Sequence, residues 1–451
     1  QAAQSAAAPV PVAAAVAAAT ALDTAVENAK DCIQVLGGIG FTWEHDAHLY
    51  LRRALALRSL LGGTAAWRRR VAELTLAGAR RELHVELGEV SELRAEVRAT
   101  VEQIAAFPDD ERRAALVEAG YLTPHWPRPH GLDSTPVEQL VIDQELERAA
   151  VTRPDLVIAG WAVPTIVQHG TAEQIERFVR PTLLGELVWC QLFSEPGAGS
   201  DLAALRTRAE KVDGGGWRLS GQKVWTSLAQ HADWAICLAR TSPAGEGAAG
   251  GKAAKHKGIS YFLVDMRSPG IEVRPLREIT GEAVFNEVFL DDVVVPESML
   301  VGAVDDGWKL ARATLVNERL AMGAGSSIGD AVERLLALAT DRGVKSDDSG
   351  RERLGALIAD GLAGSLLELR STLRRLQGRD ASAESSVRKL VGVRHRQAVA
   401  EATLDVLGSD GALDSEQLRQ LLLTRCLTIA GGTSQVLLTL AGERILGLPR
   451  G

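Results

Sequence analysis

The chain has 451 residues, of which 46% are hydrophobic, 24% charged and 4% aromatic, with a formal net charge of −8. That length suits two or three structural domains, and the balance is that of an ordinary globular protein. No Lys/Arg block marks a nucleic-acid footprint, and Cys32, Cys190, Cys237 and Cys426 are scattered without metal-ligand spacing, so neither a nucleic acid nor a metal is expected.

With so few aromatics, the cores must be built from Leu, Val, Ile and Ala, and the abundance of Ala and Leu favours helix. The Ala-rich run Ala6–Leu22 lacks a basic flank and contains Pro9 and Pro11, which argues against a signal peptide or a membrane span. A reducing cytoplasm is the simplest expectation for the location. The chain opens on Gln1 rather than Met, as a fragment of a longer polypeptide would.

Residues Val12–Gln34 read as a helix, broken by Gly37, Gly38 and Gly40, and a second helix over Asp46–Leu61 stops at Gly62-Gly63. From Arg68 to Glu102 the sequence is charged and heptad-like, which predicts a connecting helix or linker. Glu111–Gly185 is helical in pattern, with a loop at Pro124–Pro136. From Leu187 to about Leu300 the period shortens: LVWCQLF, GWRLSGQKVWTS, WAICLAR, ISYFLVDM, IEVRPL and VFNEVFLDDVVV read as strands of an antiparallel β-domain. Ser242–Lys257, rich in Gly, Ala and Lys, reads as a mobile loop within it. Helical periodicity returns from Gly307, with breaks at Arg342–Ser349 and Gly408–Gly411. The fold expected is mainly α, with an antiparallel β-domain between two helical ones.

Three segments carry candidate chemistry. In QLFSEPGAGSDL (Gln191–Leu202), Gly197 and Gly199 allow close backbone approach to a ligand, and Ser194 and Ser200 offer hydroxyls; an ordinary strand-to-helix turn would look the same. In QKVWTS (Gln222–Ser227), an indole and two hydroxyls suit a flat heterocycle, although Trp225 could equally be core. In WKLARATLVNERLAMG (Trp308–Gly323), Glu318 falls on the apolar stripe of Trp308, Ala311, Leu315 and Met322. A carboxylate there is either paired with a cation or raised in pKa, and the second state suits a general base.

Taken together, these segments resemble the acyl-CoA dehydrogenase family, in particular its actinobacterial branch acting on fatty and steroid side chains. WAVPTIVQHGT (161–171), WCQLFSEPGAGSDLA (189–203), GQKVWTS (221–227), GISYFLVDM (258–266), EITGEAVFNEVFLDDVVVP (278–296), NERL (317–320) and IAGGTSQVLLTLAGERILGLPR (429–450) occur in family order. The resemblance covers about residues 90–451. It implies a helical domain, a β-domain and a C-terminal four-helix bundle, with FAD between the last two. It places Leu192, Phe193, Ser194, Trp225, Thr226 and Ser227 along the flavin, Ser200 near flavin and thioester, and Thr433, Ser434 and Gln435 against FAD. It further implies abstraction of the proton α to the thioester, hydride transfer from the β-carbon to flavin N5, an oxyanion hole at the carbonyl, a trans-2-enoyl-CoA product and an electron-transfer flavoprotein as partner.

Many family members carry the base in a Glu-Gly-Thr motif, but here that place reads Gly431-Gly432-Thr433. Other members place it on the first helix of the C-terminal domain, before an arginine, and those positions hold Glu318 and Arg319. Glu318 is therefore the expected base, with Arg319, Gly431 and Ser200 on the substrate side.

The first 85 or so residues contain a second, partial resemblance. CIQVLGGIGFTWEHDAHLYLRRALALRSLLGGTAAWRRR (32–70) resembles the end of another family unit, and LLGGTAAW parallels IAGGTSQV. The resemblance is to fused two-half steroid side-chain enzymes. It implies segments 1–70 (upstream tail), 71–90 (linker), 91–187 (helical), 188–300 (β) and 301–451 (bundle). In the family a Gln-x-x-Gly-Gly loop reaches the neighbouring FAD. The tail keeps it as Gln34, Gly37 and Gly38, whereas the second copy has Asp405 and Ser409 in DVLGSDG. The expectation is one FAD per fused chain, in a pseudo-dimer with an upstream half or a homo-oligomer. Arg342 matches a pyrophosphate-binding arginine but would face the degenerate site. An acyl-CoA oxidase and a non-catalytic acyl-CoA-binding half are the alternatives.

Overall fold

A computed structural model describes residues 9–80, 87–243, 255–323, 330–343, 348–377, 384–413 and 415–449. Three helices come first: α1 (Pro9–Leu36), α2 (Ala47–Leu60) and α3 (Thr64–Leu76). Pro9 and Pro11 are the first and third residues of the described part of α1. α1 runs beyond the expected Gln34 to Leu36, and Gly37 then takes φ 64.

The stretch Arg68–Glu102, expected as a connecting helix or linker, contains the end of one helix, a connection and the start of another. α3 ends at Leu76, Gly78 adopts φ 91, and a new helix α4 starts at Ser91. Charge periodicity carried the pattern across a break that the left-handed glycine enforces.

A helical domain follows: α4 (Ser91–Ala105), α5 (Asp109–Glu118), α6 (Pro136–Arg148), α7 (Ala159–His169) and α8 (Ala172–Leu184). Thr135/Glu138 and Thr171/Gln174 form capping boxes at α6 and α8. Gln174 also donates to the Ser298 and Leu300 carbonyls at 2.8 and 2.9 Å, fastening this domain to the next.

The β-domain holds β1 (Trp189–Leu192), β2 (Arg208–Lys211), β3 (Trp217–Ser227), β4 (Trp234–Arg240), β5 (Ile259–Asp265), β6 (Ile271–Pro275), β7 (Phe285–Val295) and β8 (Leu300–Val301). They form one sheet in the order β6-β7-β3-β2-β4-β5-β8, with β1 also on β4. Most pairs are antiparallel, while β1 and β2 meet β4 in parallel. GWRLSGQKVWTS forms one long strand that makes a hairpin with β2 across the turn at 212–216 and pairs with β7 on its other side; β2 was not read from the sequence. Of the expected mobile loop, residues 244–254 lie outside the described residues. A short 3-10 turn forms at Leu202–Ala204, just past Ser200-Asp201.

The C-terminal helices are α9 (Gly307–Gly323), α10 (Asp330–Asp341), α11 (Asp348–Leu376), α12 (Glu384–Leu407), α13 (Ser409–Leu413), α14 (Ser415–Thr424) and α15 (Ser434–Arg444). The expected break at Gly408–Gly411 is a single-residue interruption, Gly408 at φ 60, before the short α13.

Two apolar cores result. One joins α4–α8, the sheet and the start of α9. The other joins α1 and α3 to α10, α11 and α12, so the tail is packed into the bundle of the second copy. The tightest contact is Gly355 of α11 on α3: a Cβ there would lie 1.7 Å from the Arg68 carbonyl oxygen. Among the described residues, no helix is long and apolar enough to cross a membrane, and no His/Cys/Asp/Glu cluster could hold a metal.

Candidate active site

Three elements carry the residues expected from the β-domain and from α9. The first is the end of β1. Leu192 and Phe193 are buried in the sheet core, with Phe193 edge-on to Tyr261 at 5.9 Å, so their contribution to a ligand wall is backbone rather than side chain. The turn beyond is closed by paired Glu195–Ala198 backbone bonds of 3.2 and 3.0 Å. Gly197 and Gly199 have open space where a Cβ would stand, and Ser200 is exposed.

This turn rests on a buried ion pair. Lys223 Nζ reaches Glu195 Oε1 at 2.9 Å and also donates to the Phe193 and Leu238 carbonyls. Glu195 in turn accepts from the backbone N–H of Arg206 and Thr207 and from the Thr207 hydroxyl. Burial raises the Glu195 pKa, but Lys223 and the Thr207 bonds outweigh it and hold the carboxyl below its ordinary value. The pair shapes the wall and leaves no free carboxylate for chemistry. The glutamate of the SEPGAGSDL segment was not assigned this role from the sequence.

The second element is a register shift between β3 and β7 after Lys223. A bulge re-aims the side chain at its apex. Trp225 takes φ 61 there and is 62% exposed, its ring edge-on to Phe285. A bulky residue in the left-handed region and an exposed indole both carry a cost and mark a functional position. Thr226, next in the chain, is buried with a hydroxyl that has no hydrogen-bond partner. Ser227 is half-buried beside it.

The third element is α9. Glu318 is 9% exposed and accepts a 3.3 Å bond at Oε2 from the Gln191 amide, whose own oxygen accepts from the Trp161 indole at 2.8 Å. One turn earlier on the same helix face, Thr314 Oγ1 lies 2.8 Å from Thr165 Oγ1 and 3.2 Å from the Tyr261 hydroxyl, all three residues being fully buried. This hydroxyl cluster joins α7, β5 and α9 beneath the carboxylate. Gln191, Trp161, Thr165, Tyr261 and Thr314 were not singled out from sequence. Arg319 follows Glu318 in α9, with its side chain outside the described residues.

In the bundle, Gly431 and Gly432 take φ 62 and 95, and Thr433 caps α15 by accepting from Val436 N. Buried Lys389 of α12 donates to the Ala430 carbonyl and, at 3.0 Å, to that of Gly432. Ser434 is half-buried and Gln435 exposed. The tail residues Gln34, Gly37 and Gly38 are exposed, and their loop packs on α1 and α2. Among the described residues, no hydrogen bond carries that loop to the wall at Ser194 and Trp225. In the second copy, Arg342 binds Asp410 at 2.7 Å and Arg353 binds Asp405.

A cavity of about 620 Å³ opens beside the turn, lined by residues including Arg206, Arg208, Arg240 and Lys255. Arg240 donates to the carbonyls of Ala203, Leu205, Lys255 and Lys257, and burial lowers its pKa. His256 stacks flat on Trp308 of α9 at 4.4 Å.

A three-part chain with a carboxylate at the helix–sheet junction and a cationic mouth defines a class, and the comparisons agree with it. The chain belongs to the acyl-CoA dehydrogenase family: the models of its N-terminal, middle and C-terminal domains match residues 89–186, 190–293 and, for the last, both 1–76 and 305–446. It is 58% identical over 439 residues to acyl-CoA dehydrogenase FadE34 of Mycobacterium tuberculosis, covering 97% of this chain but only 60% of that protein. Acyl-CoA dehydrogenase IpdE1 of the same organism is 37% identical over 361 residues, 76% of this chain and 89% of IpdE1. Among solved structures, the Tcur3481-Tcur3483 steroid ACAD aligns with a TM-score of 0.65 at 30% identity, over 81% of this chain and all of that one. The match of the C-terminal model to 1–76 supports the repeat read from the sequence.

Proposed function

We propose that the chain catalyses FAD-dependent α,β-dehydrogenation of an acyl-CoA thioester to a trans-2-enoyl-CoA, with Glu318 as the base. One observation carries this reading: Glu318 is a buried carboxylate at the junction of α7, β1 and α9, below a wall whose exposed indole and open glycine turn suit a flat cofactor.

The residues present fit FAD. Thr226 offers a buried hydroxyl without a partner, Trp225 a free ring face, and Gly197 and Gly199 a turn without side chains. Leu192–Ser194, Ser200 and Trp225–Ser227 would hold it from the β-domain, and Thr433–Gln435 from the bundle. Gln34, Gly37 and Gly38 would close the site as the loop of the partner copy. When bound, FAD supplies the acceptor for the hydride leaving the β-carbon, and an electron-transfer flavoprotein takes the electrons onward. Glu318 takes the α-proton, while the buried surroundings exclude water from the forming enolate. Ser200, Arg319 and Gly431 would face the thioester. The cationic mouth around Arg206, Arg208 and Lys255 suits the phosphates of CoA. The name of the steroid ACAD neighbour supports a bulky or steroid acyl group.

The ion pairs of Arg342 and Arg353 with Asp410 and Asp405 support a second-copy loop that no longer serves a flavin. One FAD per fused pair of copies follows, and a measured ratio of two would refute it. The base is tested by Glu318→Gln, which should retain FAD yet lose dehydrogenation by about a thousandfold or more, as expected for an essential base; near wild-type turnover would remove Glu318 from that role.

A further inference from the structure

We propose that Gln191 is the positioning residue of the active site, its amide locked by Trp161 so that it can only donate to Glu318. This inference rests on the reading of Glu318 as the base and adds a device that aims it.

The orientation follows from strand geometry and donor chemistry. On β1, Cys190 and Leu192 are fully buried in the sheet core. Side chains alternate along a strand, so Gln191 projects from the opposite face, where it meets Trp161 of α7 and Glu318 of α9. An amide can present either its oxygen or its nitrogen to a neighbour. An indole N–H is a donor only, so the 2.8 Å contact with Trp161 fixes the Gln191 oxygen on that side. The NH₂ is thereby left facing Glu318 Oε2 at 3.3 Å. A carboxylate held at one oxygen cannot spin about its terminal bond, and its orientation toward the α-carbon is set before substrate arrives. Preorganisation of this kind matters because a misplacement of about 1 Å can cost on the order of a hundredfold in rate. The hydroxyl cluster at Thr314 fixes the helix one turn below.

The test is single-turnover flavin reduction by acyl-CoA in the full-length holoprotein, with FAD content and substrate Kd measured alongside. Gln191→Met keeps the length and removes the donor. It should slow reduction by about ten- to a hundredfold, the range for a hydrogen bond to a charged group, at unchanged Kd and FAD content. Trp161→Phe, which leaves Gln191 and Glu318 in place and removes the indole donor that fixes the amide, should slow it by about three- to tenfold, as for a neutral hydrogen bond. Both variants should enlarge the isotope effect from α-deuterated substrate. In a Glu318→Gln background, neither should lower the residual rate further.

A full rate in both single variants overturns the proposal and leaves the base reading standing. So does a loss that repeats in the Glu318→Gln background, because Gln191 would then act on something other than the carboxylate. Near wild-type flavin reduction by Glu318→Gln itself overturns both. If Gln191→Met fails to fold, Trp161→Phe alone decides by the same criteria.

Discussion

The chain holds two copies of one bundle end, and they are stabilised by opposite charges. In the first, Asp23 of α1 gathers Arg58 of α2 and both Thr64 and Arg68 of α3, at 2.6 to 3.2 Å. In the second, the corresponding helix α12 uses a cation: buried Lys389 grips the carbonyls of the Gly-Gly-Thr turn. The two clamps stand at different places in the repeat. Asp23 stands as far before Gln34 as the exposed Arg394 stands before Asp405, and Ala18 occupies the place of Lys389. The loops diverge in the same sense. Gln34, Gly37 and Gly38 are neutral and exposed, while Asp405 and Asp410 are tied to Arg353 and Arg342. In the first copy Asp23 holds Thr64 of the Gly62-Gly63-Thr64 run and the loop is exposed; in the second Lys389 holds the Gly431-Gly432-Thr433 run and the loop is tied by ion pairs. On the proposed reading, the first copy is the donor of a loop and the second its receiver.

That division requires the tail to stay docked, and the largest expected effect is at the docking point. Gly355→Val places a side chain where even a Cβ would sit 1.7 Å from the Arg68 carbonyl, and backbone cannot yield as a flexible side chain can. We expect a loss of about 3 kcal/mol, at the upper end for overpacking, with α1–α3 becoming the first segment cut in limited proteolysis. An unchanged denaturation midpoint would mean that the tail and bundle are not packed as described.

The receiver is tested by Lys389→Met. Two carbonyls lose an ammonium donor in a buried site, at a cost of about 1–3 kcal/mol. FAD occupancy should fall more than global stability, because the turn at Gly431–Thr433 loosens before the bundle does. Equal loss in both measurements would make Lys389 a general core residue rather than the clamp of a binding turn.

Much of this was legible in the chain. The change from helical to strand period and back located the three parts, and an apolar stripe interrupted by one carboxylate pointed to Glu318. The duplicated Gly-Gly-Thr run marked the tail. What periodicity cannot supply is partnership across the fold. Gln191 was visible as the first residue of QLFSEPGAGSDL, but alternation says only that it leaves the core face, not that Trp161 and Glu318 wait on the other side. Lys223 lies in β3 and Glu195 in the turn beyond β1, and their pairing depends on a tertiary placement that no local pattern encodes. β2, with the sequence RAEK, is short and polar apart from one buried alanine, so it carries almost no strand signal.

The smallest effect tests the donor's acidic clamp. Burial raises the Asp23 pKa, but Thr64, Arg58 and Arg68 outweigh it and leave the folded value below the ordinary one. A depressed folded pKa adds stability that is complete above the unfolded value of about 3.9 and disappears as the pH falls through the folded value. The Asp23 side chain is 34% exposed, so solvent screens the ion pairs, and their contribution should stay below about 1 kcal/mol. Asp23→Asn should therefore unfold at slightly lower urea than the parent near neutral pH, and the gap should close below about pH 4. Because Arg394 holds the matching place in the second copy without such a network among the described residues, Arg394→Asn should show no such pH-dependent gap. If the two variants behaved alike, Asp23 would be an ordinary surface charge and the opposition between the two clamps would reduce to the lysine alone.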